Sequence, residues 1–138
     1  MFLDASVIIA MLGDEAEGDA FADTLASASV RLTSPIAVWE SVAGLAHEYA
    51  LSIPEARRKL VEFLVATETR VVVLGEAEME LALDAYDQFG QGRHPARLDM
   101  GDCFAYAAAK SHGAPLLHKE YPHGSGRLAL ISMLEIAV

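Results

Sequence analysis

The strongest constraint in this sequence is its rhythm: short, continuously apolar runs alternate with segments long enough to be helical crossovers. Met1–Asp4, Val30–Thr33, Arg70–Leu74 and Ala114–His118 have the composition of strands, the clearest being β-branched through Val71, Val72 and Val73. Parallel strands need long crossovers, and strands covered on both faces lose the apolar–polar alternation of a one-sided sheet. The pattern predicts an α/β fold, a three-layer sandwich with a short parallel sheet flanked by helices. Ligands in such sheets gather beyond the carboxyl ends of the strands. Asp4 stands at such an end, and segments starting near Ser34, Asp99 and Lys119 follow or lie close to others.

The crossovers carry their own punctuation. Helical composition runs from Asp4 to Met11 and breaks at Gly13. Asp14 is placed to cap a helix over Glu15–Ala28, with Ala16, Ala20, Phe21, Thr24 and Leu25 on one stripe. Ser34-Pro35 supplies an N-cap and a first-turn proline for a helix to about Ala50. Ser52-Ile-Pro-Glu55 has capping-box form and opens a helix to about Thr67. Glu76–Phe89 is helical and ends at Gly90, Gln91–Arg97 is a polar loop, and Asp99–Ser111 is a helix stopped at Gly113. Lys119–Arg127 is a loop rich in Gly, Pro and His, and Leu128–Ser132 is a candidate last strand. There are no repeats or linkers, so the 138 residues, 53% hydrophobic, are expected to form one domain over 1–138.

The lone Cys103 allows no internal disulfide, which predicts a reducing cytoplasmic location. No stretch approaches the ~18 apolar residues of a membrane span, and Met1–Leu12 lacks the basic leader of a signal peptide. The net charge of −10 argues at first against a nucleic-acid partner. Its distribution reverses that reading. Residues 1–90 carry five basic and sixteen acidic side chains, whereas residues 91–138 carry five basic, four acidic and four of the five histidines. A polyanion would therefore meet a neutral to basic surface on the second segment, which otherwise reads as ordinary solvated surface.

Several acids stand in unfavourable company. Asp4 lies between two apolar segments, where a carboxylate is costly unless capped, paired or bound to a metal. Glu40 interrupts an apolar helix, and its neighbours at i−3 and i+4, Ala37 and Gly44, are small enough to leave room for an ion or substrate; the bland reading is the wet face of that helix. Asp99 and Asp102 share a helix face, either as dipole-complementing caps or as acids beside the cations Arg93, His94 and Arg97. Ser6 is placed to hold a metal-bound water or to orient Asp4, or simply to pack at a helix start. Convergence of Asp4, Glu40 and Asp102 at one sheet edge would give all-oxygen ligation, which suits Mg²⁺ or Mn²⁺ rather than zinc. Such a site activates water for attack on a phosphodiester.

Three segments carry a resemblance: Phe2-Leu-Asp4-Ala-Ser6, Ser34-Pro-Ile-Ala-Val-Trp-Glu40, and Gly92-Arg-His-Pro-Ala-Arg-Leu-Asp-Met-Gly-Asp102-Cys-Phe-Ala-Tyr-Ala-Ala-Ala-Lys110. Over most of its length the chain resembles the PIN-domain ribonucleases, specifically toxins of VapBC-type toxin–antitoxin systems. The resemblance implies a Mg²⁺- or Mn²⁺-dependent endoribonuclease acting on cellular RNA, a homodimer, and inhibition by a cognate antitoxin. It makes Asp4, Glu40 and Asp102 the metal-binding acids, leaves Asp99 where the family often has Asn, and gives Arg93, Arg97, Lys119 and Arg127 to RNA phosphates. An antitoxin tail would place an Arg among the carboxylates, with the apolar helices Ile36–Ala50 and Ala56–Ala66 contributing a groove.

The chain departs from the family after its fourth strand. In Leu116-Leu117-His118-Lys119-Glu120-Tyr121-Pro122 the expected fourth acid falls on Pro122, and Glu120 is two positions early. Either Glu120 or Asp99 substitutes, or one metal suffices, or activity is lost. The alternative function is thus a catalytically impaired module that binds antitoxin or RNA without cleavage. A haloacid-dehalogenase phosphatase is disfavoured, because Ser6 stands where a second Asp is required.

Overall fold

The computed structural model describes residues 1–119. The sheet is parallel throughout, with strand order β3-β2-β1-β4. Its strands are β1 (Phe2–Leu3), β2 (Leu32–Thr33), β3 (Arg70–Val71) and β4 (Leu116–Leu117). The helices are α1 (Ala5–Leu12), α2 (Gly18–Ala26), α3 (Pro35–Glu48), α4 (Ile53–Ala66), α5 (Glu76–Phe89) and α6 (Met100–Ser111). The expected three-layer α/β sandwich is what forms.

The alternation of β1 divides the interior in two. Successive strand residues point to opposite faces, so Phe2 joins a core with Leu98, Cys103 and the alanines of α5 and α6, while Leu3 joins Ile8, Leu25, Leu60 and Phe63. On the first side Ala82 and Ala85 face Ala105, Ala107, Ala108 and Ala109, all buried. Small side chains let these two helices approach closely. Central β1 is bracketed by β2 and β4, which fixes the strand end carrying Asp4 between two neighbours.

Local signals behaved as their chemistry requires at α3 and α4. Ser34 accepts the Ala37 N–H with Pro35 in the first turn, and the Ser52–Glu55 capping box is fully made. α3 ends at Glu48, two residues short of Ala50, whose φ is 51°.

Three expectations fail. Asp14 does not cap a helix at Glu15: α2 begins at Gly18, its N-cap Glu17 makes no side-chain cap bond, and Asp14 takes a φ of 54°. The cause is local: Asp14 is used in the left-handed closure of α1, with Gly13 N–H on Ile9 O and Glu15 N–H on Ala10 O, and so does not take the extended backbone of an N-cap. The proposed stripe also fails, because Leu25 alone of those five residues is buried. The third failure is β3, which spans two residues rather than five and lies at a sheet edge. Having one neighbour, it alternates: Val72 is buried while Val73 is 81% exposed. Glu120, Arg127 and the candidate strand Leu128–Ser132 lie outside the described residues.

Candidate active site

Asp4 is the N-cap of α1. Its Oδ2 accepts the Ser6 N–H at 3.2 Å and the Ser6 hydroxyl at 2.6 Å. The capping reading is therefore correct, and it coexists with the position at the end of β1. Ser6 Oγ in turn accepts the Lys119 N–H at 3.0 Å, and Asp4 N–H donates to Leu117 O at 3.0 Å. Those two bonds tie the exit of β4 to the exit of β1. Ser6 thus orients Asp4, one of the roles its position allowed.

Asp99 and Asp102 form a reciprocal capping box. Asp99 Oδ1 accepts the Asp102 N–H at 2.9 Å, and Asp102 Oδ2 accepts the Asp99 N–H at 3.0 Å. Asp102 is 7% exposed, a burial that a carboxylate tolerates only with such donors and a favourable helix dipole. Its charge is felt next door. Burial, followed by Asp102 and Asp99, pushes the Cys103 thiol up to about 11. That sulfur stays protonated in the core and is no nucleophile or soft ligand.

Glu40 is half-buried on α3 and reaches α6. Its carboxylate lies on the bare Cα of Gly101, where an added Cβ would fall 2.5 Å from Oε1. Glu40 thereby reaches the first turn of α6, at the residue before Asp102. The room expected beside Gly44 is absent, because Ile9 Cδ1 would stand 2.6 Å from a Cβ there. Ala37 is likewise packed into the core. Gly101 was missed by the sequence reading. The signal was present in Asp99-Met-Gly-Asp102, a glycine in a first helical turn where most residues serve better.

The donor set is one of hard oxygens only, the chemistry of a Mg²⁺ or Mn²⁺ site. The expected convergence of Asp4, Glu40 and Asp102 on one ion is not seen: among the described residues no three acidic, His or Cys side chains are gathered closely enough to hold one. Asp4 and Asp102 each turn an oxygen to donors of their own helix start.

The basic residues divide. Arg93, His94 and Arg97 line an open depression of ≈ 600 Å³ with Gln91, Gly92 and Pro95. Arg93 makes an exposed 3.5 Å pair with Asp87 and lies over the Tyr86 ring. Lys119 is turned elsewhere, with Nζ 2.6 Å from Glu15 and 3.8 Å from Glu17. A separate apolar groove of ≈ 530 Å³ lies between α3 and α4, lined by Pro35, Trp39, Val42 and Ile53 with Arg57 at its wall. Trp39 there is 70% exposed. Among the described residues no helix is long and apolar enough to cross a membrane.

Comparison with known proteins agrees with this architecture. The PIN-domain family model matches residues 1–121. A VapC ribonuclease of Mycobacterium bovis, Mb0625, is 40% identical over 120 residues, covering 86% of this chain and 88% of that protein. A VapC ribonuclease of Rhizobium meliloti, R02377, is 35% identical over 130 residues, covering 86% and 92%. The crystal structure of Mycobacterium tuberculosis VapC20, described as a toxin cleaving the sarcin–ricin loop, superposes with a TM-score of 0.69 at 18% identity over 93% of each chain. The fold and these relatives lead to one conclusion: the chain belongs to the PIN-domain family, among its VapC ribonucleases.

Proposed function

We propose that the chain is one PIN-like domain over 1–138 and a divalent-metal-dependent endoribonuclease, a cytoplasmic toxin restrained by a cognate antitoxin. What supports this reading is the family together with two local facts: Asp4 caps α1 at the exit of β1, and the Glu40 carboxylate is seated on Gly101, one residue before buried Asp102. Asp4, Glu40 and Asp102 would hold Mg²⁺ or Mn²⁺, with Asp99 and Glu120 as the further candidate ligands. When bound, such an ion supplies Lewis acidity toward a phosphoryl oxygen and lowers the pKa of water. The chain's own residues prepare for it. Ser6 fixes the rotamer of Asp4, the Asp99 N–H holds Asp102, and the glycine at 101 admits the Glu40 carboxylate. In the reaction, water attacks phosphorus, the bond to the leaving ribose oxygen breaks, and the chain is cut. Glu40 would either ligate the ion or orient the attacking water.

Arg93 and Arg97 would take RNA phosphates. Lys119 would do so in competition with Glu15, and Arg127 lies outside the described residues. The α3–α4 groove, with its exposed Trp39, supports a protein partner, and an amphipathic antitoxin tail or the second protomer of a homodimer fits that chemistry. Asp4→Asn and Asp102→Asn should each abolish Mn²⁺-dependent cleavage of single-stranded RNA while leaving the fold intact. Unchanged cleavage in both variants sinks the proposal.

A second reading is favoured by one observation, the lack of a three-ligand cluster among the described residues. It is a module that binds antitoxin or RNA without cutting. Titration calorimetry with Mn²⁺ separates the two, since a folded protein that takes up no ion is the module.

A further inference from the structure

We propose that the loop from Gly90 to Leu98 is a preorganised seat for one phosphate of the RNA backbone, with the His94 Nε2–H as its neutral donor between Arg93 and Arg97. This rests on the ribonuclease reading and adds to it a location and a positioning residue.

The loop is closed by its own bonds. Gln91 N–H donates to Leu98 O at 3.1 Å and Leu98 N–H to Phe89 O at 3.0 Å, which clamps the two ends. Arg93 and His94 N–H groups both donate to Gly90 O, and Arg97 N–H donates to His94 O. Ala96 and Leu98 are fully buried and pin the loop to the core. A segment tied this way loses little further entropy when it engages a ligand.

His94 is held from two sides. Its Nδ1 accepts the Ala96 N–H at 3.0 Å, and its ring stands edge-on to Phe89, with centroids 5.3 Å apart at 86°. A ring nitrogen that accepts carries no proton, so the neutral imidazole bears its hydrogen on Nε2. A carboxylate or an amide oxygen would accept the Ala96 bond equally well. An amide also keeps an NH2, but on the same carbon as the accepting oxygen; the imidazole carries its second nitrogen on the far side of a rigid ring.

The surroundings specify an anion. The depression is lined by Gln91, Gly92, Arg93, His94, Pro95 and Arg97 in a chain of net charge −10. Among the described residues the one acid paired with its cations is exposed Asp87, 3.5 Å from Arg93, for which a phosphate competes. It is shallow and broad, suited to a polymer passing across it rather than to an enclosed small molecule. The loop runs through Leu98 directly into Asp99, the N-cap of α6. Lone pairs of a phosphate oxygen match an N–H donor flanked by guanidinium charges.

The test measures binding of the full chain, with Mg²⁺, to a short single-stranded RNA carrying 2′-O-methyl riboses. His94→Asn keeps an amide oxygen for the Ala96 N–H, but its NH2 falls short of the Nε2 position. It should weaken binding by about tenfold, as loss of a charge-assisted hydrogen bond does, with an unchanged salt dependence and an unchanged melting temperature. Arg97→Ala should weaken binding and also lower the slope of log K against log salt by about 0.7, one phosphate contact on a single strand. His94→Gln, which returns a donor near the Nε2 position, should recover part of the affinity. RNA affinity in His94→Asn equal to that of the unaltered chain overturns the seat, as does an equal loss in His94→Gln. Displacement of the RNA by inorganic phosphate as readily as by unlabelled RNA also overturns it, since the site would then serve a free anion. In the unaltered chain the His94 Nε2–H resonance should shift when RNA is added, and no shift overturns the proposal without recourse to variants. Asp102→Asn separates the two readings: cleavage lost there with His94→Asn inert refutes the seat alone, and cleavage retained there with weakened binding in His94→Asn refutes the nuclease alone.

Discussion

The carboxylate of Glu40 rests on the Cα of Gly101, one residue before buried Asp102, in space that any side chain at position 101 would fill. This contact joins the middle of α3 to the first turn of α6. It converts a glycine that looks like a helix defect into part of the site.

Gly101→Ala should therefore separate stability from activity. Alanine in a helix is favoured over glycine by up to about 1 kcal/mol, and Glu40 can yield by turning its flexible end. The melting temperature should hold or rise, while RNA cleavage falls at least about tenfold as Glu40 is displaced. Unchanged cleavage in a folded Gly101→Ala protein would remove Glu40 from the site.

Ser6→Ala should act on both counts. The hydroxyl holds Asp4 Oδ2 and receives the Lys119 N–H. Losing such bonds costs about 1 kcal/mol, visible as a shift in urea midpoint. Cleavage should fall as well, and a stability loss without an activity loss would confine Ser6 to anchoring β4.

The two acids of α6 should come apart by substitution. Asp99→Ala removes an N-cap and should destabilise by about 1 kcal/mol, whereas Asp99→Asn should cost only a few tenths. Asp102→Asn retains an oxygen for the Asp99 N–H and should leave unfolding nearly unchanged while cleavage is lost. Thermal melts beside cleavage assays read both properties.

Glu78 titrates below its ordinary value of 4.5, held by the N–H groups of Glu78 and Gly75 and by the Ser111 hydroxyl. Its fold preferentially binds the ionised form. That contribution is complete above the ordinary carboxylate range and disappears as pH falls through the depressed folded value. Ser111→Ala, which unlinks the end of α6 from the start of α5, should move the Glu78 titration upward in a carbon-detected NMR series. An unmoved titration would mean the Ser111 hydroxyl contributes nothing.

What the sequence determined by itself were interactions contained within a few residues. The caps at Asp4, Ser34, Ser52 and Asp99 depend on one side chain reaching an N–H two or three positions on, and all four form. The α/β class followed in the same way, from apolar runs separated by crossover-length helices. Tertiary structure decided the rest. Val71 and Val73 read as core yet stand exposed, because the edge position of β3 depends on which strands pair. Gly44 read as an opening and is filled by Ile9, while Gly101, unremarked in sequence, is where Glu40 fits. Hydrogen bonds along one turn are encoded by spacing alone; which empty volume meets which side chain is set only when distant helices pack.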